Sequence, residues 1–341
     1  MLETLVVTEN EYRKGEETFR RCSSFRTVRS PDDEASLASV VQNENARAVI
    51  VGVGRYTGPL YSALQIGGQK QGSLIIRFGV GHDGVNKALA RQAGIAVCNT
   101  PGTLDISVAE HVLWLMGCLA RRIPQAEAAL RAGNFQCAAG SELSGKRLGI
   151  VGFGRIGRRV ARIAHYGFGM KVWAANSTGV ARLEQVEKCS LAEIRQRYGL
   201  ERYVERIEEL MAECDYVTIH LPSNVSTRQF INAPTLALMK PAACLINTAR
   251  GGVLDEAALY DALAEGRIGG AALDVFECEP YQPSPGKDLR QLDNVVLTPH
   301  IGSNTQEANQ RMAAACLTNA QHFFAGQLDQ LTRVDLPELP P

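Results

Sequence analysis

The hexapeptide GFGRIG at residues 152–157 constrains the fold more than any other stretch of the chain. It matches G-x-G-x-x-G at Gly152, Gly154 and Gly157, follows the apolar run RLGIV, and leads directly into the helical pattern RIGRRVARIAHYGF. Glycines at this spacing recur by chance in turns, but the strand before and the helix after make the pattern specific. The first glycine permits a tight turn, the second lets backbone approach a pyrophosphate, and the third allows close helix–strand packing. Free N–H groups in the first turn of the helix then face the phosphates. The alternative is a plain strand–turn–helix. About twenty residues past the third glycine, where such a site usually carries an acid for the ribose hydroxyls, stands Asn176 in KVWAANST. Asn donates and accepts hydrogen bonds but does not repel a 2′-phosphate. Ser177 and Thr178 add hydroxyls and Arg182 is the nearest cation, so both NAD and NADP stay open as cofactors.

Around this motif, short β-branched apolar runs alternate with helical patterns, which predicts α/β layering on parallel sheets. Before Asn99 the expected strands are 5–7, 48–51, 74–77 and 96–98, separated by helices near 34–42, 59–64 and 85–93. NTPG at 99–102 signals a turn before a long apolar-periodic helix over 104–121. Later strands are expected near 148–151, 171–174, 216–219, 243–247, 270–272 and 295–297, and a helix over 306–324. The charged tract 182–213 reads as a surface helical excursion, and the Pro-rich DLPELPP at 335–341 as non-helical. Length suggests two domains. Local pattern does not say whether the last helix returns to the first of them.

Composition narrows the function classes. The 36 basic and 36 acidic side chains cancel, which gives no support to a nucleic-acid partner. No apolar run reaches membrane-spanning length, and the start of the sequence lacks the pattern of a signal peptide. Nine cysteines without C-x-x-C spacing read as reduced thiols in a cytoplasmic protein without structural metal.

Three strand-end segments hold the candidate chemistry, where open α/β sheets place ligands. INTARGGVLDE carries Arg250, ALDVFECEP carries Asp274, Glu277 and Glu279, and LTPHIGSNT carries His300. Hydride transfer to a 2-oxo acid needs a cation for the carboxylate, best supplied by Arg. It also needs an acid–base near neutral pKa, which His provides, and a carboxylate that orients the ring and stabilises its imidazolium. Taken singly, Arg250 reads as a capping residue, Glu279 as a solvated turn residue and His300 as a structural histidine. Beside the glycine turn, the three together favour the catalytic reading.

In these residues the sequence resembles the D-isomer-specific 2-hydroxyacid dehydrogenase family. FGVGHDGVNKALARQAGIAVCNTPG, VAEHVLWLM, LGIVGFGRIG, HLPSNVSTRQFIN, LINTARGGVLDEAAL, GAALDVFECEP and NVVLTPHIGSNT resemble its blocks in order and spacing over nearly the whole chain. The resemblance implies a flavodoxin-like catalytic domain from both chain ends, residues 1–105 and 304–341, with a Rossmann NAD(P)-binding domain, 106–303, inserted between. It implies that Arg250 binds the substrate carboxylate and carbonyl, that His300 exchanges the proton, and that Glu279, just before Pro280, hydrogen-bonds His300. Backbone N–H groups of Val80 and Gly81 would hold the carboxylate. Arg155 and Ile156 would meet the pyrophosphate. Pro222, Thr248 and Ala249 would line the nicotinamide, and Asp274 would accept from its carboxamide. His220 would orient the Pro222 loop, and His82 is a further candidate beside the substrate loop. The implied activity is reversible reduction of a 2-oxo acid to a D-2-hydroxy acid, by a homodimer formed through the Rossmann domains; the apolar helix with Trp114, Leu115 and Met116 reads equally as part of that contact or as a helix buried within the chain. The alternative is a corepressor-like protein that binds NAD(H) without turnover, suggested by IIRFGVG with Arg77. Asn176, in place of the usual acid, and the long tract after it depart from the family pattern.

Overall fold

Parallel pairing runs through both sheets of the computed structural model, which describes residues 2–68, 72–136 and 138–336. The chain forms two units, Met1–Leu104 with Asn304–Pro341, and Asp105–Ser303.

The smaller unit begins β1 (Glu3–Thr8), α1 (Glu9–Lys14), α2 (Glu16–Arg21), β2 (Phe25–Ser30), α3 (Glu34–Asn43) and β3 (Ala48–Val51). It continues α4 (Pro59–Gly67), β4 (Ser73–Arg77), α5 (Lys87–Gln92) and β5 (Ile95–Cys98). Its sheet order is β2-β1-β3-β4-β5, the flavodoxin-like order. The central strands are buried on both faces, so they read as continuous apolar runs such as AVIV and LII.

The larger unit runs α6 (Asp105–Arg121), α7 (Ile123–Arg131), β6 (Arg147–Val151), α8 (Arg155–Phe168), β7 (Lys171–Ala175), α9 (Gly179–Glu187) and α10 (Leu191–Tyr198). There follow β8 (Leu200–Val204), α11 (Ile207–Glu213), β9 (Tyr216–Ile219), α12 (Ala233–Leu236), β10 (Cys244–Asn247), α13 (Glu256–Ala264), β11 (Gly270–Leu273) and β12 (Val295–Leu297). Its sheet order is β12-β11-β10-β9-β6-β7-β8. Read from β8, six of these strands give the 3-2-1-4-5-6 Rossmann order, with the switch point between β6 and β9. Two apolar clusters cover the sheet, one around Leu245, Leu259 and Leu273, the other around Ile150, Val160 and Met116. The expected α/β class is therefore observed in both sheets.

The last helix, α14 (Gln306–Phe324), belongs to the smaller unit, where it packs on β4 and α2. Thr305 caps it by accepting the N–H of Ala308. Two expectations need correction. The tract 182–213 is not wholly helical, since β8 lies within it, and β2 was not anticipated. Of the Pro-rich end, residues 337–341 lie outside the described residues.

Candidate active site and cofactor cradle

The three glycines of the fingerprint differ in what surrounds them. Gly152 has φ 97°, and a Cβ there would lie 2.6 Å from the His220 carbonyl oxygen. At Gly157 a Cβ would lie 2.4 Å from the Gly152 carbonyl oxygen, so only glycine lets α8 sit this close to β6. At Gly154 a Cβ would meet nothing within 4 Å. Gly154 is the N-cap of α8 without a capping side chain, and the first turn carries no acid. An open approach to uncapped N–H groups fits a pyrophosphate. Arg155 opens the helix, largely exposed, and its Nε donates to Asp105, which is only 3% exposed, at 2.8 Å. Ile156 packs partly buried against the sheet. At the end of β7, the Asn176 side chain donates to the Thr178 hydroxyl at 3.1 Å. Arg182 donates to Gln185. Arg158, one turn into α8, is engaged by Glu187 at 2.5 Å.

Asn247, fully buried at the end of β10, shapes the next turn. Its Oδ1 accepts the Ala249 N–H at 3.0 Å and its Nδ2 donates to the Arg250 carbonyl at 3.0 Å. Thr248 is buried, and among the described residues its hydroxyl has no hydrogen-bond partner, a group that a ligand amide would satisfy. The Arg250 guanidinium donates to the Ala249 carbonyl. Gly251 lies so near Phe276 that a Cβ would fall 1.8 Å from its carbonyl carbon. The Arg250 turn is thereby pressed against the segment carrying Glu279.

Glu279 accepts the Phe276 N–H through Oε1 at 3.0 Å and pairs through Oε2 with His300 Nδ1 at 2.7 Å. Glu256 accepts the Glu277 N–H and steadies the same turn. Burial pushes the Glu256 carboxyl up, and the charges of Glu277 and Glu279 add to this. With Nδ1 held by a carboxylate, Nε2 of His300 is left to meet a substrate.

His300 itself has φ 55°, and the loop that carries it is tied to Asp274. Asp274 Oδ1 accepts from the Thr298 hydroxyl at 2.6 Å and the Ile301 N–H at 2.8 Å, and Oδ2 accepts the Gly302 N–H at 2.8 Å. His111 Nε2 lies 3.3 Å from Oδ1 and 3.1 Å from the Thr298 hydroxyl. Burial alone would raise the Asp274 carboxyl, but these four donors outweigh it and hold it below the usual range. Sequence reasoning singled out Asp274 but not its bracing partners His111 and Thr298, nor Asn247. Their only signal was membership in the VAEH, LTPH and INTARGG blocks.

His220, at the end of β9, hydrogen-bonds Thr218 at 3.1 Å, and burial pushes its pKa down to about 3, so the ring is neutral. The carbonyl of Pro222 accepts from the Thr227 hydroxyl at 2.6 Å. Val80, Gly81 and His82 belong to the smaller unit, on the loop after β4. There Asn99 Nδ2 donates to the Val80 carbonyl at 2.8 Å.

A sequence model of the D-isomer specific 2-hydroxyacid dehydrogenase NAD-binding domain matches residues 113–302. The D-3-phosphoglycerate dehydrogenase of Methanocaldococcus jannaschii is 40% identical over 269 residues, covering 78% of this chain and 48% of that protein. The chain thus spans about half the length of that relative. The hydroxypyruvate reductase of Thermotoga maritima is 41% identical over 241 residues, 70% of this chain and 73% of that protein. Among solved structures, the NADPH-dependent glyoxylate/hydroxypyruvate reductase of Sinorhizobium meliloti, in complex with NADP and malonate, superposes with a TM-score of 0.80. It is 29% identical, and the match covers 98% of this chain and 97% of that one. A Rossmann-type, NAD(P)-dependent oxidoreductase is the class that this cradle and these likenesses define. Within that class, the chain belongs to the D-isomer specific 2-hydroxyacid dehydrogenase family.

Proposed function

We propose that the protein reversibly reduces a small 2-oxo acid to the D-2-hydroxy acid with NADH or NADPH. The observation that carries this reading is the 2.7 Å pair between His300 and Glu279, beside the Arg250 turn and in the unit that holds the glycine cradle. When bound, the reduced nicotinamide supplies a hydride to the carbonyl carbon. Protonated His300 gives its Nε2 proton to the carbonyl oxygen, which becomes the hydroxyl, while Glu279 stabilises the imidazolium beforehand. Arg250 grips the carboxylate and offsets charge developing on the oxygen. Val80 and Gly81, in the smaller unit, would offer their backbone N–H groups to a substrate carboxylate. The cofactor would be held by Gly152, Gly154, Arg155, Ile156 and Gly157, with Asn176 toward the ribose and Pro222, Thr248 and Ala249 toward the nicotinamide. Among the described residues Asp274 Oδ2 takes one protein donor, which leaves it lone-pair capacity for the carboxamide.

The names of the similar reductases favour glyoxylate and hydroxypyruvate as first substrates to try. The described cysteines form no disulfide, in keeping with the cytoplasm. No helix among the described residues is long and apolar enough to cross a membrane. A homodimer completes the proposal.

NADH and NADPH oxidation should be followed with glyoxylate, hydroxypyruvate, pyruvate and longer 2-oxo acids. His300→Ala is expected to lower kcat about 10²–10⁴-fold with nucleotide affinity kept. Nucleotide binding without turnover of any of these acids would instead favour the corepressor-like reading, and a His300→Ala enzyme of near-normal rate would remove the assigned role.

A further inference from the structure

The loop after β4 turns its carbonyls one way. The Gly79 carbonyl accepts the Thr100 N–H at 3.0 Å, and the Val80 carbonyl accepts Asn99 Nδ2 at 2.8 Å. Asn99 and Thr100 are adjacent and buried, so both carbonyls face one segment. A trans peptide is planar, with its N–H opposite its C=O. The N–H of Val80 shares a plane with the Gly79 carbonyl, and the N–H of Gly81 shares one with that of Val80. Pinning the two carbonyls therefore aims both N–H groups away from residues 99–100. Among the described residues, no backbone carbonyl accepts from either of them. Two successive N–H groups aimed alike form an anion-binding concavity. A further bond fixes the turn, from the Gly79 N–H to the Thr100 hydroxyl at 3.0 Å.

Asn99 is in turn held by a segment far along the chain. Its N–H donates to the Thr332 carbonyl at 3.2 Å, and its carbonyl accepts the Thr332 hydroxyl at 2.5 Å. Asn319, buried on α14, donates to the same carbonyl at 3.4 Å and accepts the Thr332 N–H at 3.0 Å. Beyond Thr332, the segment runs antiparallel along the edge of β5, with Arg333 bridged to Cys98 and the Val334 N–H on the Val97 carbonyl. Arg333 pairs with Asp335 at 2.7 Å, and Arg91 holds the Asp335 carbonyl.

We infer that residues 331–335 act as a strap which, through Asn319 and Thr332, fixes Asn99 and so sets the direction of the carboxylate-binding N–H groups of Val80 and Gly81. Asn99 is then a positioning residue for the substrate carboxylate, and Thr332 and Asn319 position Asn99. The inference rests on the proposed 2-oxo acid reaction, which supplies the carboxylate. Accepting a hydrogen bond at the carbonyl also polarises the peptide and strengthens its N–H as a donor.

The test compares Asn99→Ala and Thr332→Val with Val41→Ala, a core change in α3 of the same unit chosen to lower Tm without touching the loop. Steady-state KM for the 2-oxo acid, kcat, and equilibrium binding of NAD(P)H and of the inert carboxylate oxamate are measured for each. Loss of one aimed N–H should raise KM and the oxamate Kd about tenfold in Asn99→Ala and about threefold in Thr332→Val. kcat is expected to stay within about twofold and nucleotide Kd unchanged, because neither depends on the carboxylate grip. Val41→Ala should leave KM and the oxamate Kd at their wild-type values. Unchanged KM in both loop variants, or losses of equal size in KM, kcat and nucleotide Kd, overturns the strap. Should Asn99→Ala fail to fold, Thr332→Val decides alone. A wild-type protein that neither turns over a 2-oxo acid nor binds oxamate removes the reaction and the strap together, whereas normal wild-type turnover with normal variants removes the strap only.

Discussion

His300 occupies the left-handed region at φ 55°, a conformation that costs a non-glycine residue roughly 1–2 kcal/mol. What offsets this is Asp274, whose carboxylate collects the N–H groups of Ile301 and Gly302 just after the strained residue and the Thr298 hydroxyl just before it. Asp274→Asn keeps the shape but turns an amide toward one of those donors. It is expected to lower stability at pH 7 by about 2–3 kcal/mol and to reduce kcat by misplacing the imidazole. Because the folded pKa of Asp274 is lowered, its contribution is in place above the ordinary carboxylate range and is lost as pH falls through the lowered value. Melting temperatures of wild type and variant should therefore differ at pH 7 and converge in acid. A constant gap across that range would show that the Asp274 charge is not what braces the loop. The sequence alone singles out His300 and Glu279 because each sits in a distinctive local block. It cannot show the bracing, which joins residues 111, 274 and 298 through the fold.

At the scale of elements, what the sequence hid has one cause. Both unanticipated strands are sheet edges, β2 at one end of the smaller sheet and β8 at one end of the larger. Of the four edge strands, β5 and β12 keep apolar runs, IAVC and VVL, and are recognised, whereas β2 and β8 carry charge on an exposed edge. FRTVRS and LERYV therefore lack the continuous apolar run by which the interior strands are recognised. The interior strands and α14 were legible because burial on both faces, or a full helical stripe, leaves a strong periodic trace. β8 follows α10, and the two helices before β8, α9 and α10, are anchored to α8. Glu187, at the end of α9, is largely buried and accepts from Arg158 on α8 and from Arg197 and Tyr198 at the end of α10. Three donors on two helices converge on one carboxylate, so Glu187→Gln would leave Arg158 buried without its counter-charge. The expected result is a local loosening, with amide hydrogen exchange rising across α9 and α10 by about tenfold or more while β9–β11 keep their protection. Exchange that rises equally throughout the larger unit would mean that the ion pair supports the whole sheet rather than this docking.

At the scale of the whole molecule, one chain builds two sheets of different order, and the smaller unit needs both ends of it. α14 and the 331–335 strap complete a sheet whose strands all precede Asn99, an association over more than two hundred residues that no local pattern reveals. Other surface features point outward. On α6, Leu115 and Met116 are buried in the larger unit, so they have no part in an outer contact, whereas Trp114 is 68% exposed. Ile123 and Leu130 on α7 and Phe135 just beyond it are exposed as well, Phe135 to 91%. Isolated exposed apolar residues are ordinary, but four large ones on successive elements of one unit are the candidates for the contact of the proposed dimer. With a formal net charge of zero, long-range repulsion does not oppose two copies meeting there. The larger unit should thus pair through α6 and α7, giving a particle of twice 37.0 kDa. Trp114→Glu combined with Phe135→Glu would bury two carboxylates without partners in that contact, at several kcal/mol, while leaving the fold intact because neither residue packs inside. Light scattering after size exclusion at micromolar concentration is expected to show a dimer for the wild type and a monomer for the double variant, with equal helix content. A wild-type mass of one chain would exclude the dimer, and a double variant that stays dimeric would move the contact to another face.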